Sequence, residues 1–402
     1  MPSRFVLPSL ILSAALILGA ALAPSNSTTS SSASPVSVST RPIALVVVAP
    51  EPVLEDGQVR VEYLRRSYPL MLTPEQAVAM RSGKLVASAP LRELYRHIEL
   101  RRPLDARFVQ GPGGWTARAQ TGWTVDRATT EMRLLTALRA GASEVVVPVR
   151  LVPPKRTVRQ LQAVGVMRHV GSGRSAFTGS PDFRVHNIRV GSSLLSGLLL
   201  GKGKVFNFNR SVGRISSARG FVPGYVISGD TLSLEDGGGI CQVSTTVFRA
   251  AYSAGLEIVE RHAHSHQVSY YDPPGFEATV YAPSLNLRFR NDTAGALLIQ
   301  ASWDLKAQTL RFDLFGSERR EVRVEEPLIS RIRPARPPGF MADPALKLGQ
   351  AVRVDMPSQG MDVRIVRTIR GQDGQLRRDE TRSRYRPWGG VFAVHPTDPR
   401  LN

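Results

Sequence analysis

The chain has a single cysteine, Cys241. It cannot form an internal disulfide, whereas exported proteins with disulfide frameworks carry even numbers. Lysine is also scarce, with six lysines against 46 arginines, and acidic residues do not balance them, so the net charge is +19. A charge of that size draws polyanions by long-range attraction. Nucleic acid is the usual rival partner for a basic chain, but no DNA or RNA recognition motif is present. Gly201-Lys202-Gly203-Lys204 is no phosphate loop, because it lacks the longer spacing and a Ser or Thr after the lysine. Nucleic acid is therefore not an expected partner. There is no internal repeat, and no second apolar run approaches a membrane span after the first one.

That first run opens the chain. Arg4 precedes an apolar stretch from Phe5 to Ala23, the pattern of a secretory signal. Ala21-Leu22-Ala23 offers a small-x-small cleavage site, but Pro24 follows directly and should hinder the peptidase. The run is nearly long enough to cross a bilayer, so residues 1–24 read as a signal peptide or a retained membrane anchor. Residues 25–40 are a Ser/Thr-rich linker that cannot pack a core. The remainder is expected on the extracytoplasmic face of the membrane, in the cell wall or periplasm. There the polyanions are anionic lipids, wall polymers and stem-peptide carboxylates.

The expected fold class is α+β, in several domains. Residues 41–153 read as one unit. Ile43 to Val48 is a β-branched strand, and Thr73-Pro74-Glu75-Gln76 caps a short helix with proline at its first position. A second helix covers Leu91 to Leu100. Hairpin strands flank Gly111-Pro112-Gly113-Gly114, a helix runs from Asp126 to Arg139 with Gly141 as its stop, and Glu144 to Val152 is a closing strand. Asp105 to Phe108, Gly122-Trp123-Thr124-Val125-Asp126, the helix that follows and Val147-Pro148-Val149 resemble a peptidoglycan-binding domain found ahead of some wall transpeptidases. That resemblance implies affinity for wall polymer. Residues 154–167 read as a connector and 168–316 as a central α+β domain. Residues 317–402 read as a Pro/Arg-rich β appendage, with a hairpin signal at Gly371-Gln372-Asp373-Gly374.

The most unusual stretch is Asp236-Gly237-Gly238-Gly239-Ile240-Cys241-Gln242-Val243-Ser244-Thr245-Thr246. Three glycines allow positive φ and close approach of backbone to a ligand. An amphipathic pattern follows from about Cys241 to Ala254, and Gly255 ends it, so a helix bearing the cysteine should pack on an antiparallel sheet. Cys241 then sits in the first turn, where the dipole and free N–H groups should lower its pKa. Downstream come His262, His264 and His266, then Phe276-Glu277-Ala278-Thr279-Val280. Thiol on a helix, imidazole on a strand and carboxylate on the next strand is the order that papain-like and transglutaminase-like enzymes use for a triad.

Phe206-Asn207-Phe208-Asn209, Val212-Gly213, Gly224-Tyr225, Gly237 to Thr246, Arg261 to Ser265 and Gly275 to Val280 resemble the VanW-like family, which takes its name from an accessory protein of type B vancomycin-resistance clusters. The resemblance covers roughly residues 180 to 316. It implies a substrate neighbourhood, peptidoglycan and its stem peptides, rather than a reaction. The family pattern places the histidine at His264, before Ser265. It carries Asp before Ala-Thr-Val, where this chain has Glu277 with a longer arm.

Two functions follow. In the first, Cys241 is the nucleophile, His264 the base and Glu277 the orienting group of a cysteine hydrolase or acyltransferase. In the second, the glycine loop and aromatic residues form a pocket for a wall precursor and Cys241 merely packs. Candidate ligand contacts are Gly238, Gly239, Gln242, Ser244, Thr245, Asn207, Asn209, Tyr225, His262 and Ser265. No cofactor is required. On a strand the three histidines would share a face. With Cys241 they make a zinc-ligand set on paper, but structural sites rarely use so crowded a run, and no metal is expected.

Overall fold

The computed structural model describes residues 42–82, 89–228, 231–371 and 374–401. The apolar run and the linker fall outside them, as do positions 372 and 373 of the expected C-terminal hairpin turn. Among the described residues no helix is long and apolar enough to cross a membrane.

The N-terminal strands form one sheet in the order Gln58–Leu70, Ile43–Glu55, Gly114–Gln120, Leu104–Gly111, with Glu144–Val146 parallel to Ile43–Glu55. Three helices accompany it: α1 (Pro74–Arg81), α2 (Ala89–Glu99) and α3 (Arg127–Ala140). Their ends follow local chemistry. Thr73 and Gln76 exchange side-chain and backbone hydrogen bonds in a capping box before α1. Asp126 caps α3, and Gly141 closes it in the left-handed region at φ 69°. The closing strand expected from Glu144 to Val152 is instead two short strands, Glu144–Val146 and Val149–Val152, and the second pairs with Gly122–Val125. Pro148 stands at the break, where its missing N–H cannot continue a ladder. The connector holds a helix, α4 (Val158–Ala163), with a capping box of its own between Thr157 and Gln160.

The central residues build an antiparallel sheet in the order Arg168–Ala176, Thr309–Gly316, Leu297–Asp304, Leu199–Leu200. Helices α5 (Asp182–Leu195), α6 (Phe208–Val212) and α7 (Ile240–Ser253) follow in chain order. The α+β class holds, with the cysteine-bearing α7 lying on this sheet. Its seat is made by two glycines of Arg168–Ala176. A β-carbon at Gly173 would fall 2.0 Å from the carbonyl oxygen of Thr246, and one at Gly171 would fall 2.6 Å from the β-carbon of Ala254. No larger residue would let helix and strand approach so closely.

The C-terminal strands make two further sheets. Gly360–Arg370 pairs along its length with Leu376–Tyr385 on one edge and, on the other, with Leu328–Arg333 over its first half and Glu321–Val324 over its second. Gly339–Ala342, Val391–Val394 and Ala351–Asp355 form the other. Val363, Ile365 and Tyr385 belong to the same hydrophobic cluster as Val243, Val247 and Phe248 of α7. A second shared cluster joins Leu54, Phe108 and Ala117 of the N-terminal sheet to Val158, Leu298 and Phe315, and Phe108 stacks on Phe315 at 4.0 Å. Gln300 extends this contact by bonding both the N–H and the carbonyl of Phe108, at 2.9 and 2.8 Å.

Candidate functional site

The three glycines carry the chain from strand Thr231–Asp236 into α7. Gly237 and Gly239 have φ of 92° and 109°, and a β-carbon on Gly239 would meet Arg184 Cγ at 2.9 Å. Gly239 is the N-cap, so α7 starts without a capping side chain. The Ile240 and Gln242 N–H groups bond back to the carbonyls of Gly237 and Gly239 at 3.0 Å. Among the described residues nothing accepts from the Cys241 N–H. The buried Asn187 of α5 pins the loop by donating to the carbonyls of Val222 and Gly238, at 2.9 and 3.1 Å. No sequence motif marks Asn187 or Arg184. An asparagine in the middle of a helix was the available signal.

Cys241 and His264 line one cleft of about 580 Å³, with Arg184, Asn209, Gly239, Tyr270, Tyr271, Thr279 and Tyr281 among the other walls. The Cys241 residue is partly exposed, but its thiol is enclosed, 3.6 Å from Thr279 Oγ1 and donating to the carbonyl of Val280 at 3.6 Å. Burial pushes its pKa up, and those contacts and the Arg184 charge do not offset it. The expectation of a depressed pKa is thereby corrected: at this helix start desolvation outweighs the dipole. His264 is 7% exposed, stacks on Tyr271 at 4.9 Å, and has a buried Nδ1 with no hydrogen-bond partner. Burial, then the neighbouring His266 and Arg261, lower its pKa to about 3. Thiol and imidazole are therefore both uncharged near neutral pH.

The carboxylate expected to orient His264 does not do so. Glu277 Oε1 accepts from Tyr385 OH at 2.5 Å and from Arg261 Nη2 at 3.1 Å, while Oε2 accepts from Gly275 N at 3.1 Å. Arg261 also donates to the Glu277 carbonyl at 2.6 Å and to Ser383 Oγ at 2.7 Å. The longer arm of glutamate is committed to a buried brace between this loop and strand Leu376–Tyr385. Among the described residues no hydrogen bond joins His264 to Glu277 or to Cys241.

The histidines do not share a strand face. Strand Glu257–Glu260 ends before them, and a 3₁₀ turn, Ser269–Tyr271, follows them. His262 meets Glu260 Oε1 at 3.1 Å, His264 lies on Tyr271, and His266 stacks on Trp388 at 4.4 Å. Among the described residues no three His, Cys, Asp or Glu side chains converge as metal ligands would.

Of the expected ligand contacts, Gly239 and Asn209 line the cleft. Gln242 is buried and turned to the sheet, donating to Ser175 Oγ at 3.0 Å and the Ala176 carbonyl at 2.7 Å. Ser244 donates to the Ala278 carbonyl at 2.6 Å, and Thr245 Oγ1 accepts from Ala278 N at 3.1 Å. These three side chains fasten α7 to its neighbours. Asn207 caps α6, Gly238 is buried beneath Asn187, and Ser265 Oγ lies 3.3 Å from His266 Nδ1. Tyr225 has its backbone in strand Pro223–Ser228, and its side chain lies outside the described part.

Residues 183–315, which contain every wall of the cleft named so far, match the family model described as "VanW like protein". Two curated proteins are similar. The uncharacterized protein YoaR of Bacillus subtilis (strain 168) is 34% identical over 161 residues, 40% of this chain and 52% of YoaR. The vancomycin B-type resistance protein VanW of Enterococcus faecalis (strain ATCC 700802 / V583) is 29% identical over 116 residues, 27% of this chain and 42% of that protein. The chain thus spans about half the length of the curated relatives it matches. Its central domain is VanW-like over residues 183–315.

Proposed function

We propose that this is a cell-envelope protein whose central domain holds a peptidoglycan stem peptide, or a precursor that carries one, in the cleft at the start of α7. The carrying observation is the resting state of that cleft. Cys241 and His264 share it as an uncharged pair with no bond between them, among aromatic walls and a glycine-capped helix start. Aromatic surface with a few polar groups suits recognition of a peptide. The open Cys241 N–H suits a ligand carbonyl or carboxylate. The N-terminal sheet, with its resemblance to a wall-binding domain, would hold the polymer, and the apolar run at the start would deliver the chain across the membrane and anchor it there.

The reading is tested by calorimetric titration of the purified protein with a synthetic stem peptide. Saturable heat, lost on Tyr271→Ala, is the expected result. No binding overturns the proposal. Co-sedimentation with purified peptidoglycan, weakening as salt screens the charge, tests the N-terminal role.

A second reading, acyl transfer, is favoured by the buried and unpartnered Nδ1 of His264. Once a ligand closes the gap, His264 would take the thiol proton. The sulfur would attack the ligand carbonyl, and the proton would leave with the departing amine. The remaining thioester would be opened by water or a second amine. The Cys241 N–H would stabilise the oxyanion. Intact-mass analysis separates the two readings, since only the second leaves an acyl group on Cys241.

A further inference from the structure

We infer that the cleft is built for a ligand with a free amine, and that Asp355 is the residue that recognises it. The inference rests on the binding reading above and narrows its ligand. The chain as a whole has 52 basic and 33 acidic residues. The cleft reverses that balance, lining itself with Glu235, Asp236 and Asp355 against Arg184 and Arg214. One of those two cations is engaged already. Arg184 lies over the Tyr270 ring at 4.2 Å and donates to Ser180 Oγ at 2.6 Å.

Asp355 ends strand Ala351–Asp355, outside the family-matched residues, so the C-terminal region supplies this part of the wall. Its carboxylate differs from others in the same molecule. Asp292, Asp313, Asp362, Asp379 and Asp398 each lie within 4 Å of an arginine. Among the described residues Asp355 has no arginine or lysine partner, and its one ion-pair neighbour is His266, at 3.8 Å. It is nonetheless held in place. Oδ2 accepts from Trp388 Nε1 at 2.7 Å, Oδ1 accepts from Met356 N at 2.9 Å, and Trp388 is stacked on His266. A carboxylate offers about four acceptor positions, so two remain for an incoming donor. A positioned, partly buried anion with no arginine or lysine paired to it in a strongly basic protein is suited to a cation brought by the ligand.

The carboxylate does not stand alone. His264, two residues before His266, lines the same cleft with its buried Nδ1 unsatisfied. An amine seated on Asp355 would lie in the cavity that also holds His264 and Cys241. The ligand class that fits is a peptide whose side chain ends in a primary ammonium.

The test compares L-alanyl-γ-D-glutamyl-L-lysine with its Nε-acetyl derivative by calorimetric titration of the full chain. Acetylation removes the charge and should weaken binding about 10-fold, the equivalent of one charge-assisted hydrogen bond. Asp355→Asn keeps an oxygen for Trp388 and should reduce the difference to less than about 2-fold. Equal affinity of the two peptides for the wild type would overturn the inference while leaving the binding reading intact. An undiminished preference in Asp355→Asn would overturn the role of Asp355. Binding of neither peptide would overturn the cleft's proposed function and this inference with it. The wild-type comparison stands even if the variant fails to fold.

Discussion

The two ends of α7 are held by opposite means. At the carboxyl end, Arg367, buried at 1% exposure, donates to the carbonyls of Tyr252 and Leu256 at 2.6 and 2.5 Å and pairs with Asp379 at 2.7 Å. Arg320 and Arg377 add bonds to the carbonyl of Gly255 at 2.9 and 3.0 Å. At the amino end the cap is a glycine, and nothing among the described residues accepts from the Cys241 N–H. Cations satisfy the negative end of the helix dipole, while the positive end is left to the cleft. The contrast teaches that α7 is anchored where nothing needs to bind and left unsatisfied where a ligand would. It also gives the arginine-rich C-terminal strands a structural task, clamping the helix that carries the thiol.

That comparison can be broken at either end, and the effects should differ in size. Arg367→Met leaves the buried carbonyls of Tyr252 and Leu256 without their donor and Asp379 with Arg377 as its remaining partner, and should cost about 3–5 kcal/mol of folding stability in urea denaturation. Loss of less than about 1 kcal/mol would mean that the clamp is ornamental. Glu277→Ala breaks the brace to Arg261 and Tyr385 and should cost about 2–4 kcal/mol. It should leave the pH profile of Cys241 alkylation in place, and a displaced profile would return Glu277 to the chemistry.

His264 should make stability depend on pH. Its folded pKa, about 3, lies below the unfolded value near 6.5. Its contribution is therefore present above pH 6.5 and is lost as the pH falls through that value toward 3. Between pH 7 and pH 5 the loss should be about 2 kcal/mol, and His264→Phe should remove that component. The smallest effect should come from Cys241→Ser, a near-isosteric change at a partly exposed residue, at about 1 kcal/mol or less.

Much of this arrangement was legible in local signals. Thr73 with Gln76, Asp126 with Gly141, and the glycines before Cys241 with Gly255 after it each mark a helix end within a few residues. Such signals act on the backbone directly, so tertiary context rarely displaces them. The site was legible in part, because Cys241 and His264 do meet in one cleft. The brace was not legible, since Tyr385 lies 108 residues from Glu277 and no period links them. The alternating histidines suggested a strand. The segment is instead irregular and tied to distant residues, with the His262 carbonyl accepting from Thr279 N at 2.9 Å, the Ser265 carbonyl accepting from Arg386 N at 2.7 Å and His266 stacked on Trp388. The thiol was misjudged because its helix position can be read from sequence, whereas the enclosure by Thr279 and Val280 cannot.

The central claim is that the cleft rests as a neutral thiol beside a neutral imidazole. The most direct test is the rate of iodoacetamide alkylation of Cys241 in the folded, ligand-free protein as a function of pH. An unperturbed thiol has a pKa near about 8.5 and is roughly 3% thiolate at pH 7. Cys241 should react more slowly than that at pH 7 and gain speed only on the alkaline side of 8.5. Fast alkylation persisting to mildly acidic pH, and abolished by His264→Ala, would contradict the claim and establish a preformed thiolate–imidazolium pair.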